Sequence, residues 1–285
     1  MKKVIIIIFA TVISSMSVIA QSGRTDEVSI HVSGGYSPLL YTLSKGNSSG
    51  GFGGDFGAGY TYFFPSVEKI SESGTIKRMQ WGIFGGLGLG IYTASAKLDG
   101  ETAITENLED SEGDLFEMRS TFSGYQENQR ATFLNIPVMA MYQFDMFYFL
   151  GGFKMAIPLK GSFRTNDASV NHVGWYEEYR NSATSQTIEG FGEFPIRSSK
   201  GNNLDLGFTM MLSLEAFMKY KIDSNLSLYY GIYFDYGLNN SLKGGNFVDY
   251  DRENSTTNSV LNSLAPKANI MAVGVKVRLA MNQWW

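Results

Sequence analysis

The chain has 285 residues, with Lys+Arg 23 against Asp+Glu 27, a net charge of −4, and no cysteine. That balance supplies no cationic surplus for a phosphate backbone, so nucleic acid is not an expected partner. The lack of cysteine removes disulfide scaffolds, thiolate metal sites, cysteine nucleophiles and lipid anchoring through an N-terminal cysteine. Charged residues are only 18% while aromatics reach 14% and glycine numbers 32, which favours β structure over helix.

The first element is a targeting segment. Lys2 and Lys3 precede an apolar run that begins at Val4 and ends at Ala20. A basic start, a short apolar stretch and a small residue at the junction predict a cleaved signal peptide over 1–20, leaving Gln21 first. The alternative is a transmembrane anchor, but Ser14, Ser15 and Ser17 interrupt the run and no cationic stop-transfer cluster follows. No other stretch approaches the roughly 18 apolar residues a membrane helix needs.

Beyond residue 21 the dominant period is two, which predicts strands. Eight are expected, over 28–39, 51–63, 79–94, 131–144, 146–159, 204–220, 226–238 and 270–281. In 226–238 one face carries Leu226, Leu228, Tyr230, Ile232, Phe234, Tyr236 and Leu238, and the other Ser227, Tyr229, Gly231, Tyr233, Asp235 and Gly237. The stretches 204–220, with Leu204 and Leu206 on its apolar face, and 270–281 repeat this pattern. Pro38, Pro137 and Pro158 mark strand ends or irregular positions. The connections 64–78, 145–146 and 222–225 are short or moderate; 95–130, 160–203 and 239–267 are long, polar loops, and 40–50 is shorter but Gly/Ser-rich. This rhythm predicts an all-β, up-and-down antiparallel barrel over 21–285, with ten strands if 121–125 pairs into 160–203.

Alternation alone fits a membrane barrel or a lipocalin-like soluble barrel. The second face separates them: it is mostly Gly, Ser, Thr, Ala and Tyr, with isolated charges of both signs at Asp55, Lys154, Glu215, Lys219, Asp235, Lys276 and Arg278. A soluble barrel needs a solvating exterior, whereas scattered opposite charges suit a crowded lumen where they pair. The expected arrangement is a transmembrane barrel in a bacterial outer membrane. Lys154, Glu215, Lys219, Asp235, Lys276 and Arg278 then form a structural ion cluster in its lumen. Tyr62, Phe63, Tyr142, Phe144 and Tyr220, with Trp284 and Trp285, are candidates for an interfacial aromatic girdle.

The segment Leu134-Asn135-Ile136-Pro137-Val138-Met139-Ala140-Met141-Tyr142 resembles the L-x-I-P-x-x-x-x-Y strand of the OmpA-like and PorT-like outer-membrane β-barrel domains of Bacteroidota. The Ala20-Gln21 junction and the Gly151-Gly152 strand fit the same family. The resemblance spans the expected mature chain and implies an eight-stranded outer-membrane barrel with a structural, surface-recognition or secretion/envelope-accessory role. The expected partners are outer-membrane lipid and other envelope or secretion proteins.

Candidate chemistry is sparse. His31 falls on the polar face with Ser29 and Ser33, which predicts a lumenal hydrogen-bonding role, and His172 has no neighbour at metal-ligand spacing. The acidic run from Glu101 to Glu117 lacks the D-x-D-x-D-G calcium spacing and reads as a solvated loop. Trp175, Tyr176 and Tyr179 lie in a long connection, where they either form a recognition surface or fold back over the barrel mouth. The expectation is a chain without cofactor, metal or catalytic site, and not an enzyme. A lipid-modifying enzyme and a small pore are the alternatives.

Overall fold

A computed structural model of the chain describes residues 26–43, 47–70, 76–184, 190–202, 204–243 and 247–282; the expected signal peptide, Trp284 and Trp285 lie outside the described residues. Eight long strands carry the architecture: β1 (Glu27–Tyr36), β2 (Phe52–Phe63), β3 (Ile76–Leu98), β4 (Tyr125–Phe144), β5 (Phe147–Thr165), β6 (Thr209–Lys221), β7 (Leu226–Gly237) and β8 (Lys267–Asn282). Each pairs antiparallel with the next, and β1 pairs with β8 from Glu27↔Asn282 to Tyr36↔Val273. The ring therefore closes and leaves no open edge.

Period two then sorts every side chain. Ile30, Val32, Phe56, Ile83, Val138, Phe153, Leu214, Ile232 and Val275 all face outward and are exposed. Along β4 the outward side chains from Leu134 through Ile136, Val138 and Ala140 to Tyr142 carry no charge. An apolar belt of this extent around a closed ring is far larger than soluble proteins expose, and it matches the lipid-facing band of a membrane barrel. The soluble alternative requires the reverse, with the apolar face inside. No helix among the described residues is long and apolar enough to cross a membrane.

Three differences from the sequence reading are informative. Leu204 and Leu206 are not on the lipid face: β6 starts at Thr209, and both leucines are buried at the barrel mouth, beside Gly161. Phe63 is 4% exposed and belongs to the interior core, because its neighbour Tyr62 holds the outward parity. Trp81, which the sequence reading did not place in the girdle, faces outward and packs on Tyr142 at 4.7 Å between ring centroids.

A further difference concerns the long connections. β3, β4 and β5 run for 23, 20 and 19 residues, about twice what a tilted strand needs to cross the membrane. Their far ends rise beyond the belt, where Gln126, Asn128 and Arg130 replace apolar residues on the outside. The stretches expected as loops continue into a second sheet, ordered Asn181–Ala183, Ala168–Tyr176, Leu115–Ser123, Thr102–Glu109, with Gly192–Ile196 also paired to Ala168–Tyr176. The anticipated pairing of 121–125 into 160–203 exists, as Phe122↔Val170, but in this sheet and not in the barrel. At the opposite rim the connections are tight: Asp145 turns with φ 55°, and Ile222 and Asp223 donate their amides to the Leu226 carbonyl.

The interior is filled in layers. Phe63, Phe84, Met139, Tyr148 and Phe217 pack near the short-turn end. Tyr92, Phe133, Tyr233, Leu39 and Ile270 pack toward the mouth. The helix Val260–Leu264 closes that mouth with Leu261, while Val260 joins Phe122, Tyr125 and Val170 in a core beneath the second sheet.

Candidate functional site

Between the two apolar layers lies a polar layer built by the inward parity of seven strands. Lys154 Nζ on β5 donates to Asp235 Oδ2 on β7 at 2.6 Å, and Ser213 Oγ on β6 donates to the other oxygen of Asp235 at 2.5 Å. Glu215 on β6 accepts from Lys276 Nζ at 2.6 Å and from the Arg278 guanidinium at 3.0 Å, both on β8. Arg278 also lies over the rings of Phe84 and Phe217, at 4.2 and 5.0 Å. Lys219 reaches Glu27 at 2.7 Å, and the Tyr229 hydroxyl donates to the same carboxylate. All six charges named from sequence are therefore brought into three ion-paired groups, each charge satisfied by an opposite one. Unpaired burial of any of them would cost several kcal/mol.

Sequence reasoning missed two members of this layer, Glu27 and Asn135, and named Asp55 on the inward face without including it in the cluster. Glu27 lay one residue before the expected start of β1, yet it shares the inward parity of Ser29 and His31 and was legible on that ground. His31 Nε2 meets Asp55 Oδ1 at 2.7 Å, and Asn135 donates to Asp55 Oδ2 at 2.7 Å, so β4 supplies a lumenal hydrogen-bond partner for a carboxylate on β2. Both pairings join residues far apart in sequence. The lumenal hydrogen-bonding role expected of His31 agrees with its position.

A second polar cluster lies at the mouth, above the belt. Glu127, on the projecting end of β4, is fully buried. It accepts from Tyr125 (2.9 Å), Gln129 (2.7 Å), Ser259 Oγ (2.5 Å) and the Leu261 amide (3.2 Å). Gln129 in turn accepts from the Tyr41 hydroxyl. Burial pushes the Glu127 carboxyl up from the ordinary glutamate range, against these donors.

His172 is not in a loop but in the strand Ala168–Tyr176 of the second sheet, where its Nδ1 lies 2.8 Å from Ser120 Oγ and its ring packs on Phe194 and Tyr250. That separation is the distance of a hydrogen-bonded serine–histidine couple. Burial, with the Arg252 charge nearby, pushes the imidazole down to about 4, so it is neutral at neutral pH. Both side chains are buried.

The aromatic stretch lies at the far end of the same sheet. Trp175 Nε1 donates to Glu177 at 2.8 Å with Arg119 over its ring at 4.8 Å; the Tyr176 hydroxyl donates to Asp110 at 3.0 Å and the Tyr179 hydroxyl to Asp114 at 3.1 Å. Tyr176 stacks on Phe116, while Tyr179 is largely exposed. These three aromatics do not cover the barrel mouth; the helix Val260–Leu264 does. Part of the acidic run expected as a solvated loop supplies their partners instead. Among the described residues, no group of three or more His, Cys, Asp or Glu is placed to hold a metal ion.

No protein-family model matches the chain, and no curated protein matches it. Among solved structures it is similar to the outer membrane protease OmpT from Escherichia coli, at 12% identity over 92% of this chain and 98% of that one, with a TM-score of 0.32. It is also similar to a Pseudomonas aeruginosa FadL homologue, at 7% identity over 90% of each chain with a TM-score of 0.19. A third is the translocator domain of the autotransporter NalP from Neisseria meningitidis, at 9% identity over 94% of this chain and 91% of that one, with a TM-score of 0.18.

The closed ring, the uncharged exterior belt, the polar lumen and the asymmetry of short turns and tall loops define an outer-membrane β-barrel protein. The expectation that the chain is not an enzyme is corrected here. One of the barrels it is similar to is a protease, so barrel architecture gives no ground for excluding catalysis.

Proposed function

We propose that the protein is a surface-recognition barrel of the outer membrane, acting as an accessory to other envelope or secretion components. The observation that carries this reading is the second sheet. The chain extends three barrel strands beyond the membrane and gives the structure on top its own core of Leu98, Phe122, Tyr125, Val170, Ile196 and Val260. A barrel that served only as a membrane plug has no use for such a platform. The sheet ends in Trp175, Tyr176 and Tyr179, aromatic residues of the kind enriched at binding hot spots, set among acidic side chains. The resemblance of residues 134–142 to PorT-like barrels supports an envelope-accessory setting.

The filled lumen argues against the pore alternative, because narrow barrels of this kind pack solid with side chains. The test is site-specific photocrosslinking from position 179 in intact cells. A discrete adduct with one envelope or extracellular component, lost in W175A/Y176A, supports the reading. No adduct from 179, together with stepwise single-channel currents from the purified protein in planar bilayers, favours the pore.

A further inference from the structure

We propose that the outward face of the β4–β5 sector, immediately above the apolar belt, binds an outer-leaflet lipid whose headgroup carries phosphate, held by Arg164 and Lys200 with Arg130 and Lys160 beside them. The position comes first. Climbing the outside of β5, the exposed side chains are Phe153, Ile157 and Leu159, then Lys160 and Arg164. The register shift between Pro158 and Lys160 lets both Leu159 and Lys160 face outward, so the change from apolar to cationic occurs across one peptide bond. On β4 the same boundary falls between Leu134 and Arg130, and Arg130 pairs with Ser162 of β5. On the other side of β5, Lys200 pairs with Arg164. Four cations thus sit on one patch of a chain whose net charge is −4.

The second observation is a built cleft of about 490 Å³, lined by Arg164, Thr165, Ser198, Ser199 and Lys200. Its far wall is fastened to the barrel. The Ser199 amide donates to Thr165 Oγ1 at 2.9 Å, the Thr165 amide to the Ser199 carbonyl at 3.0 Å, and the Ser198 amide to Asp167 Oδ1 at 2.7 Å. Two like charges at paired positions of neighbouring strands repel. An anion between them reverses that cost; the Thr165 and Ser199 hydroxyls bond each other at 3.1 Å in the cleft wall, and Ser198 also lines the cleft.

Third, among the described residues Arg130, Lys160, Arg164 and Lys200 form no ion pair, whereas the lumenal cations and Arg119 all do. The occupant is a lipid and not a soluble anion because the surface directly below is Leu159, Ile157 and Phe153, which already face acyl chains. Phosphate matches Arg and Lys donors at such a boundary. This inference rests on the outer-membrane location and not on the recognition role of the second sheet.

The experiment measures binding of bisphosphorylated lipid A, and of the same lipid dephosphorylated, to the full chain in detergent micelles. Folding of every variant is checked by its gel migration without heating. The expected result is that R164Q/K200Q binds the bisphosphorylated lipid about thirtyfold more weakly, roughly fivefold per charge removed. R119Q, on the second sheet, binds as the parent does, and the dephosphorylated lipid binds poorly to all. Should the double variant fail to fold, R130Q gives the graded loss of about fivefold on its own. Equal affinity of parent and variant, equal affinity for the dephosphorylated lipid, or displacement by millimolar inorganic phosphate alone each overturns the proposal, the last by making this a free-phosphate site.

Discussion

Glu127 and Ser259 stand 132 positions apart in the chain, yet the Ser259 hydroxyl donates to the Glu127 carboxylate at 2.5 Å while also capping the helix Val260–Leu264 by accepting from the Asn262 amide at 3.1 Å. One buried carboxylate thereby ties the projecting end of β4 to the helix that closes the barrel mouth. Truncation to alanine removes the acceptor shared by Tyr125, Ser259 and the Leu261 amide, while Gln129 keeps Ser259 Oγ as a partner. We expect E127A to weaken the closure by about 2–4 kcal/mol, read as loss of hydrogen-exchange protection at the Leu261 amide while the β6–β7 amides stay protected.

The same residue sets a pH dependence. Because burial raises the folded-state value above the ordinary one, the stability contributed by Glu127 is fully present below the ordinary glutamate range and is lost as pH rises through the folded value. Protection at 260–264 therefore increases on acidification across that window. E127Q, which cannot titrate, flattens the profile; an unchanged slope in E127Q assigns the dependence to another group.

Lumenal pairing predicts a non-additive mutant cycle. D235A leaves Lys154 buried without its counter-ion and costs about 3–5 kcal/mol, measured by urea unfolding in lipid vesicles. The K154M/D235L pair removes both charges and recovers most of that loss. If the effects of K154M and D235L measured singly add to that of the double variant, the two residues are not coupled and the pairing of Lys154 with Asp235 is wrong.

The belt itself is testable by depth. Ile232 on β7 and Ile104 on the second sheet are similarly exposed, at 63% and 53%, but only the first faces hydrocarbon in this architecture. I232K is expected to destabilise the vesicle-embedded barrel by about 2–4 kcal/mol, and I104K by less than about 0.5 kcal/mol. Comparable effects at both positions remove the assignment of the belt.

A close strand approach makes one glycine indispensable. A Cβ at Gly231 of β7 would lie 1.9 Å from the Ala216 carbonyl oxygen on β6, so the two strands cannot keep their spacing around any side chain. G231V is expected to yield little heat-modifiable barrel on a gel, while A216G, on the partner strand, folds.

What the sequence by itself determined is the class. Strict alternation over 226–238 and 270–281, with charges confined to one parity, specifies a barrel with an apolar exterior, because a strand has only two faces and a one-residue slip exchanges them. The same parity rule placed all six charges of the lumenal cluster inside. It also made the error at Phe63, where two aromatics in succession cannot both meet lipid.

Only the tertiary structure decided the rest. Which cation meets which carboxylate depends on the stagger of eight strands around a ring, so Lys219 finds Glu27 from five strands away along the chain. Leu204 and Leu206 continue the period of β6 yet turn inward, because periodicity does not report where a strand leaves the membrane. The second sheet was legible only as the possible pairing of 121–125 into 160–203, for a related reason. Segments such as Leu115–Ser123 and Ala168–Tyr176 lie within long polar stretches that read as loops, and they become strands only through pairing with each other above the ring, where β4 and β5 have carried them together.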